Sequence, residues 1–327
     1  MAIYDVALAN YQEFFSHRVS ELCGEHNLSF FLIEPEWIKE FLGKVQKGDV
    51  GVGVLLDMLS DPYDPTNLYY RLAKEVKASG GHVIDDPDRS PLTTHKGKFH
   101  VVLEKHDIPV PETVFVRRDE LASFRLTDEA RRRIGVPFVV KPGWGSGRRG
   151  VITDATSEAD LLRSAEHSPR SDSFMLQKRL EPKTLDGRPA WFRIFYVCGE
   201  MVPCWWHPVT GDYEMISPLQ RRVFGLQPLE QIVFKIAQLS KMEFFSTEVA
   251  LTGDGRFVAI DYLNDECDLH AKSYWPSGPP DEVVRRVAQL FVQRAVGIVH
   301  KHPFENELVE RDRVWEEHME QAAQEQK

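Results

Sequence analysis

The chain has 327 residues, 28% of them charged, with 40 Lys+Arg against 50 Asp+Glu. Its globular composition excludes a disordered or fibrous chain, and the length suggests two domains or one domain in lobes. A net charge of −10 argues against a nucleic-acid partner but leaves room for a local basic pocket around a small anion. No run approaches the ~18 apolar residues of a membrane span. The opening stretch lacks a basic region followed by an apolar signal core. Cys23, Cys198, Cys204 and Cys267 form no CxxC pair, so neither a disulfide framework nor a zinc site is expected. The chain reads as a cytoplasmic protein with no membrane partner.

In chain order, Phe14, Phe15, Val19 and Leu22 fall near helical spacing within 11–23, and Leu28 to Ile33 is a short apolar run with the look of a buried strand. Glu36 to Val45 reads as a helix ending before Gly48. Val52 to Leu56 reads as a strand, Asn67 to Lys77 as a helix, and His82 to Ile84 as a strand after Gly80-Gly81. Short buried strands alternating with helices imply a parallel α/β sheet, whose ligands bind beyond the strand C-termini. Asp57, Asp61, Asp85 and Asp86 follow such strands and read either as turn and cap residues or as acids facing a cleft.

The polar stretch Asp85 to Pro91 marks a boundary. A helix is expected from about Thr94 to His106, two more around 119–132 and 157–166, and an amphipathic one over Pro280 to Val299. Residues 191–206 and 245–263 are rich in β-formers and carry hairpin-type turns. The charged tail from Glu305 to Lys327 reads as a solvated helix with a frayed end.

Two segments carry chemistry. In Phe138-Val-Val-Lys141-Pro-Gly143-Trp-Gly145-Ser146-Gly147-Arg148-Arg149-Gly150-Val151 an apolar strand delivers Lys141 into a glycine-rich loop. Such a loop can fold closely over phosphates and point amide N–H groups at them, or it can be a plain flexible turn. It is neither a Walker A loop, since GK[ST] is absent, nor a GxGxxG opening a helix. The second segment runs from Phe245 through Glu248 to a Gly253-Asp254-Gly255 turn, then through Asp261 to Asn264 and Asp265. Paired strands there would join Glu248 and Asp261 with Asn264 close behind, a hard oxygen set suited to Mg²⁺, or merely a hairpin with cross-strand polar residues.

Together, in this order, the segments resemble the ATP-grasp superfamily over roughly residues 90–300. The relatives resembled are carboxylate–amine ligases of the ribosomal-protein glutamate ligase, D-alanine–D-alanine ligase and glutathione synthetase type. The run from Lys96 to Thr113 looks like that superfamily's entry helix and its "GIPxPxT" turn, with Asp107 where glycine is commoner. Met175-Leu-Gln177-Lys178-Arg-Leu180 looks like the adenine hinge, and Trp191-Phe-Arg193 to Glu200 like the "D-x-R-x-x-V-x-G" strand pair.

The resemblance implies an α/β fold, with a small Rossmann-like parallel α/β domain (1–90) before an ATP-grasp domain (91–300, lobes 91–178 and 179–300) and a charged tail (301–327). It implies ATP held by Lys96, Lys141, Gly145, Ser146, Gly147, Gln177, Lys178, Leu180 and Glu181, and Mg²⁺ held by Glu248, Asp261 and Asn264. Arg193 and Lys141 would serve catalysis, and Arg148, Arg221 and Arg222 the substrate. Departures are Trp191 in place of an acidic residue, Asp261 and Asn264 separated by two residues where the family has E-x-N, and no "PG" afterwards. Either a bulge restores Asn264 or Asp265 serves instead.

The activity implied is ATP-dependent joining of a small-molecule carboxylate to an amine through an acyl phosphate, and a homodimer is plausible. The alternatives are a kinase for a small polyol or inositol-type phosphate and a nucleotide-binding protein without catalysis. His207, beside Trp205-Trp206, reads as a hydrogen-bonded, partly buried histidine rather than a proton shuttle, and His270 and Lys272, just beyond the metal strand, are open between structural and cleft-lining roles.

Overall fold

The computed structural model describes residues 2–145 and 147–300; Ser146 and the tail 301–327 lie outside the described residues. The first unit is a parallel sheet in the order β2-β1-β3-β4, made of β1 (Ala2–Ala9), β2 (Phe30–Leu32), β3 (Val50–Asp57) and β4 (His82–Ile84). Helices α1 (Glu13–Glu25), α2 (Ile38–Gln46) and α3 (Leu68–Ala78) connect them. Asn67 caps α3 by accepting a hydrogen bond from Tyr70 N at 2.8 Å, as Asn does at the N-cap. Sequence reading identifies three of these strands and all three helices but not β1, one of the two central strands. Asp5 interrupts the apolar run of β1 and hides it. In the structure Asp5 sits near the strand's solvated end and accepts from Ser29 N at 2.8 Å.

The short helix α4 (Ser90–Thr93) leads into α5 (Lys96–Lys105) and a second, antiparallel sheet in the order β5-β8-β6-β7. Its strands are β5 (Thr113–Arg117), β6 (Phe138–Pro142), β7 (Ile152–Ala155) and β8 (Ser173–Lys178), backed by α6 (Asp128–Ile134) and α7 (Glu158–Glu166). The helix expected over 119–132 is realised only from Asp128, because a 3₁₀ turn at Arg118–Glu120 and an irregular stretch precede it.

A separate two-stranded hairpin, β9 (Thr184–Leu185) and β10 (Arg188–Pro189), then precedes the third large sheet. That sheet is antiparallel in the order β13-β12-β11-β14-β15, with β11 (Trp191–Val197), β12 (Glu200–Trp206), β13 (Tyr213–Met215), β14 (Phe244–Leu251) and β15 (Phe257–Asn264). Period-two alternation gives it two buried faces. Phe192, Ile194, Trp205, Phe245 and Val249 pack on α9 (Gln227–Ser240), which follows the short α8 (Pro218–Val223). Phe195, Val197, Cys204 and Phe244 face α10 (Asp281–Val299), and Val6, Leu8, Phe15 and Val54 of the first unit share that core. The cysteines are all buried and unpaired. Among the described residues no helix is long and apolar enough to cross a membrane.

Polar ties reinforce this joint. Asp85 accepts from Glu243 N and Phe244 N, while the Glu243 carboxylate meets His82 of β4 at 2.6 Å and Arg294 of α10 at 3.0 Å. Burial opposes the charge of Glu243, yet His82 and Arg294 hold its carboxyl below the usual range. A carboxylate depressed in this way stabilises the fold above its ordinary pKa of about 4.3, and the contribution fades as pH falls below that value. The stability difference between the wild-type chain and Glu243→Gln, measured by urea unfolding, is therefore expected to be largest near neutrality and to shrink on acidification below about pH 4. A difference independent of pH would assign the effect to something other than the charge.

Candidate active site

The third sheet places charges in a row. Arg193 of β11 is the direct register partner of Glu248 of β14, and Glu248 in turn is the partner of Asp261 of β15. Alternation sends these three side chains to the face opposite Phe192 and Val249. The Arg193 guanidinium pairs with Glu248, donates to the Tyr213 hydroxyl at 2.7 Å, and lies over the Trp206 ring at 4.4 Å. Its Nε–H is buried without a partner among the described residues.

Between the Ser246–Asn264 and Glu248–Asp261 pairs, β14 advances two residues and β15 three. This bulge resolves the irregular spacing. The extra residue keeps Asn264 in step with Ser246, on the row's own side, which regular pairing at that spacing would not allow.

Two lysines complete the array from the other lobe. His95 caps α5, its Nδ1 accepting from Lys98 N at 3.2 Å, which leaves Nε2–H to donate to Asp172 at 2.9 Å. The cap fixes the first helical turn and aims Lys96 Nζ at Asp261 Oδ1, 2.7 Å away. Lys141 arrives on β6 and donates to the Ile260 carbonyl at 2.9 Å. Burial works against every charge here. For Asp261 it is outweighed by Lys96, Lys141 and Arg193, which lower its pKa to about 2. For Lys96 burial is likewise outweighed by Asp261, and the pKa rises. For Lys141, burial outweighs the pull of Asp261 and Glu248, and the pKa falls.

The glycine-rich loop bridges this row to the first unit. Gly143 admits no side chain, because a Cβ there would collide with Ser173 Oγ and the His95 ring. Trp144 packs on Tyr63 with ring centroids 5.0 Å apart. Arg170 stacks on Trp144 at 4.6 Å while donating to Asp61 Oδ2 and the Tyr63 carbonyl, both at 3.1 Å. At the loop's far end Arg148 donates to Pro208 O at 2.7 Å and lies 5.7 Å from the Trp206 ring. Trp206 therefore contacts both the loop arginine and Arg193.

The sequence-expected residues divide accordingly. Arg193, Glu248, Asp261, Asn264, Lys96 and Lys141 converge on one face, and Gly145, Gly147 and Arg148 lie in the bridging loop, whereas Ser146 lies outside the described residues. The Gln177 side chain is buried and donates to Thr113 Oγ1 and Tyr262 OH, each at 3.0 Å. Burial, with help from Lys141, lowers His100 to about 4, so its neutral Nδ1 accepts the Tyr262 hydroxyl at 2.5 Å. Lys178 and Glu181 are exposed, pairing with Glu112 at 3.7 Å and Arg179 at 3.5 Å, and Leu180 is half-buried.

Arg221 and Arg222 are set apart from the row. Arg221 pairs with Glu230, Arg222 is exposed, and Phe224 just after α8 packs on Trp205, which faces away from Arg193. Asp57 and Asp61 accept turn N–H groups at 3.0 and 2.9 Å, and Asp86 accepts from Asp88 N at 2.9 Å, so all three act as turn caps. His207 also caps a turn, accepting from Thr210 N at 3.1 Å, while His270 pairs with Asp268 at 2.9 Å. The two residues that sequence reading overlooks are Trp206 and Tyr213. Trp206 shows as an aromatic in period-two register with Cys204, but Tyr213 reaches Arg193 only through the Trp206–Tyr213 strand pair.

Comparison with known proteins yields no matching family model and no matching curated protein. Solved structures do match. D-alanine–D-alanine ligase from Bacillus anthracis complexed with ATP superposes with a TM-score of 0.62 at 11% identity, over 92% of this chain and 99% of its own. A RimK domain ATP-grasp protein from Sphaerobacter thermophilus gives 0.57 at 17% identity, over 89% and 100%. The ATP-grasp ligase PsnB, complexed with the precursor peptide PsnA2 and AMPPNP, gives 0.56 at 12% identity, over 90% and 97%. The chain thus has the ATP-grasp fold, preceded by a small parallel α/β unit.

Removing one partner of a buried ion pair leaves an uncompensated charge, whereas replacing both by apolar groups does not. Glu248→Gln is accordingly expected to destabilise the fold by about 3–5 kcal/mol, and the double variant Arg193→Met/Glu248→Leu by clearly less. Equal or additive losses in chemical denaturation would show that the pair's charges are not what couples the two strands.

Proposed function

We propose that the chain is an ATP- and Mg²⁺-dependent ligase that activates a carboxylate as an acyl phosphate and joins it to an amine. The observation that carries this reading is the convergence of Arg193, Glu248, Asp261 and Asn264 on one sheet face with Lys96 and Lys141 from the opposing lobe. The fold shared with ligase structures supports it. Two carboxylates and an amide are hard oxygen donors of the kind Mg²⁺ prefers, so Glu248, Asp261 and Asn264 fit that ion. When bound, Mg²⁺ supplies charge neutralisation at the phosphates.

The protein's own contribution is positioning and electrostatics. Lys96 and Lys141 bind phosphate oxygens as point charges, and N–H groups of the loop from Gly143 to Gly150 close over them. The adenine is assigned to the backbone of Gln177 to Leu180, with Glu181 near the ribose. Arg193, held in orientation by Tyr213 and Trp206, faces the transferring phosphoryl group and the acyl oxygen, where its unpartnered Nε–H adds a donor. The substrate carboxylate oxygen attacks the γ-phosphorus and ADP leaves. The amine nitrogen then attacks the acyl carbon, and phosphate departs with the C–O electron pair. Arg148 approaches the same region from the loop, and the parallel unit of residues 1–90 forms one wall of the substrate site. No cysteine is needed, and burial pushes their thiols up, to about 12 for Cys23 and Cys204.

Lys141→Ala is expected to weaken ATP binding about tenfold or more, the loss of a charge-assisted contact, as read by calorimetry. Arg193→Lys is expected to lower turnover with less effect on nucleotide affinity, because an ammonium cannot reproduce the guanidinium fork. The direct assay supplies Mg²⁺ and ATP with pools of acids and amines. ADP and phosphate formed only when acid and amine are both present is the expected result. ADP without free phosphate, accompanied by a phosphorylated product, would make the enzyme a kinase instead.

A further inference from the structure

The glycine loop carries one aromatic side chain that phosphate binding does not call for. Trp144 turns to the first unit, its ring 5.0 Å from the Tyr63 ring and 4.6 Å from the Arg170 guanidinium, while its backbone N–H donates to Ser171 Oγ at 3.3 Å. Arg170 in turn donates to Asp61 Oδ2 and to the Tyr63 carbonyl, both at 3.1 Å, and Asp61 Oδ1 accepts from Tyr63 N at 2.9 Å. The Tyr63 hydroxyl donates to the Pro91 carbonyl, and its ring lies 6.1 Å from that of His95, the cap of α5. Four stretches of chain thus gather around Trp144: the turn after β3, the lead into α5, the glycine loop and the turn between α7 and β8.

The far end of the loop is fastened within its own lobe, Arg149 O accepting from Ser168 Oγ at 3.2 Å and Gly150 O from Ser164 Oγ at 2.6 Å. Between these anchors Gly145 stands at φ +141° and Gly147 at φ +63°, conformations that side chains resist. Glycine loses more conformational freedom on ordering than any other residue. A loop that its ligand must order therefore loses binding energy to that ordering. Fixing Trp144 against protein partners lowers the cost.

We infer that Tyr63 and Arg170 are positioning residues for the nucleotide: they hold the phosphate-covering loop through Trp144, so the first unit helps to set nucleotide affinity without touching the nucleotide. The inference rests on the ligase reading above and adds to it the partner against which the loop is held. Its signature is a sign. If Arg170 were a direct phosphate ligand, removing the neighbouring Asp61 carboxylate would free the guanidinium and take away a negative charge, and affinity would rise. In the clasp, Asp61 keeps Arg170 over Trp144, so the same substitution lowers affinity. Asp61→Asn suits this comparison, because the amide oxygen keeps the bond from Tyr63 N whereas the NH₂ group, a donor, cannot accept from Arg170.

Calorimetric titration of the full chain with Mg²⁺ and a non-hydrolysable ATP analogue tests the inference. Trp144→Ala and Arg170→Ala are each expected to weaken binding about tenfold, Asp61→Asn about threefold, and Trp144→Phe much less than Trp144→Ala. The double variant Trp144→Ala/Arg170→Ala is expected to lose little more than either single variant, since the two side chains act as one contact. Trypsin cleavage after Arg148 and Arg149, measured without nucleotide, is expected to be faster in both alanine variants at an unchanged urea midpoint, which separates release of the loop from general unfolding. Unchanged affinity in both alanine variants, tighter binding in Asp61→Asn, or unchanged cleavage overturns the inference. The two readings fail separately. A wild-type chain that binds no nucleotide removes the ligase reading, and trypsin then decides alone whether the clasp holds the loop.

Discussion

The structure depends on one cross-strand alternation of charge, from Arg193 to Glu248, with Asp261 beside it, to Lys96. Each of these groups is withdrawn from water, and each would be costly alone. They are tolerated because strand register sets opposite charges side by side and because α5 delivers Lys96 to the row's open end. A slip of one residue in β14 would turn Glu248 to the apolar face occupied by Val249 and leave Arg193 without its carboxylate. Register in this sheet is thus enforced by electrostatics as well as by the alternating apolar residues.

The same row explains why three sheets must meet at one place. Asp261 lies on the last strand of the third sheet, next to the lobe that carries Lys96 and Lys141. The Tyr262 hydroxyl, on the following residue, is locked to His100 and Gln177 across that junction. On the other side Gln12 fastens the chain immediately after β15 to the first unit, and Asp85 fastens the start of β14. β14 and β15, which carry the carboxylates, are therefore pinned by the parallel unit at the end of the hairpin opposite its Gly253–Gly255 turn, and along one flank by the small lobe. The glycine loop then reaches across, held by Tyr63 and Arg170 at one end and by Pro208 at the other.

Much of this was legible in the sequence where local pattern and pairing coincide. A tight turn at Gly253 to Gly255 between two β-rich runs puts Glu248 opposite Asp261 with little freedom, and the order of lysine, glycine loop, arginine and carboxylates resembled the superfamily whose fold the structure shows. The bulge at Asn264 was only one of two open alternatives, because a bulge is a property of the strand pair and not of either strand's composition. β1 was missed because Asp5 breaks its apolar run, although the strand is central. Arg221 and Arg222 looked like a clamp by adjacency to an aromatic strand, yet the helix carrying them packs on the opposite face. Tyr213 gave no signal, since its contact with Arg193 exists only once three strands are aligned.

Pairing cations with carboxylates also has a consequence for binding. In the chain alone the arginine and Lys96 satisfy the very oxygens assigned to a divalent ion. Under the proposed function, a ligand that brought phosphates together with that ion would let both sets of groups exchange partners, Arg193 and Lys96 turning to phosphate oxygen while Glu248 and Asp261 kept a positive neighbour. Buried charge stays compensated before and after, so binding a highly charged ligand does not expose an unpaired ion in a low-dielectric site. Lys141 is the exception that sets the direction of this exchange. It is half-buried and leans on a backbone carbonyl, and burial depresses its pKa against the pull of Asp261 and Glu248, so an incoming anion would add the direct counter-charge that its carbonyl contact does not supply.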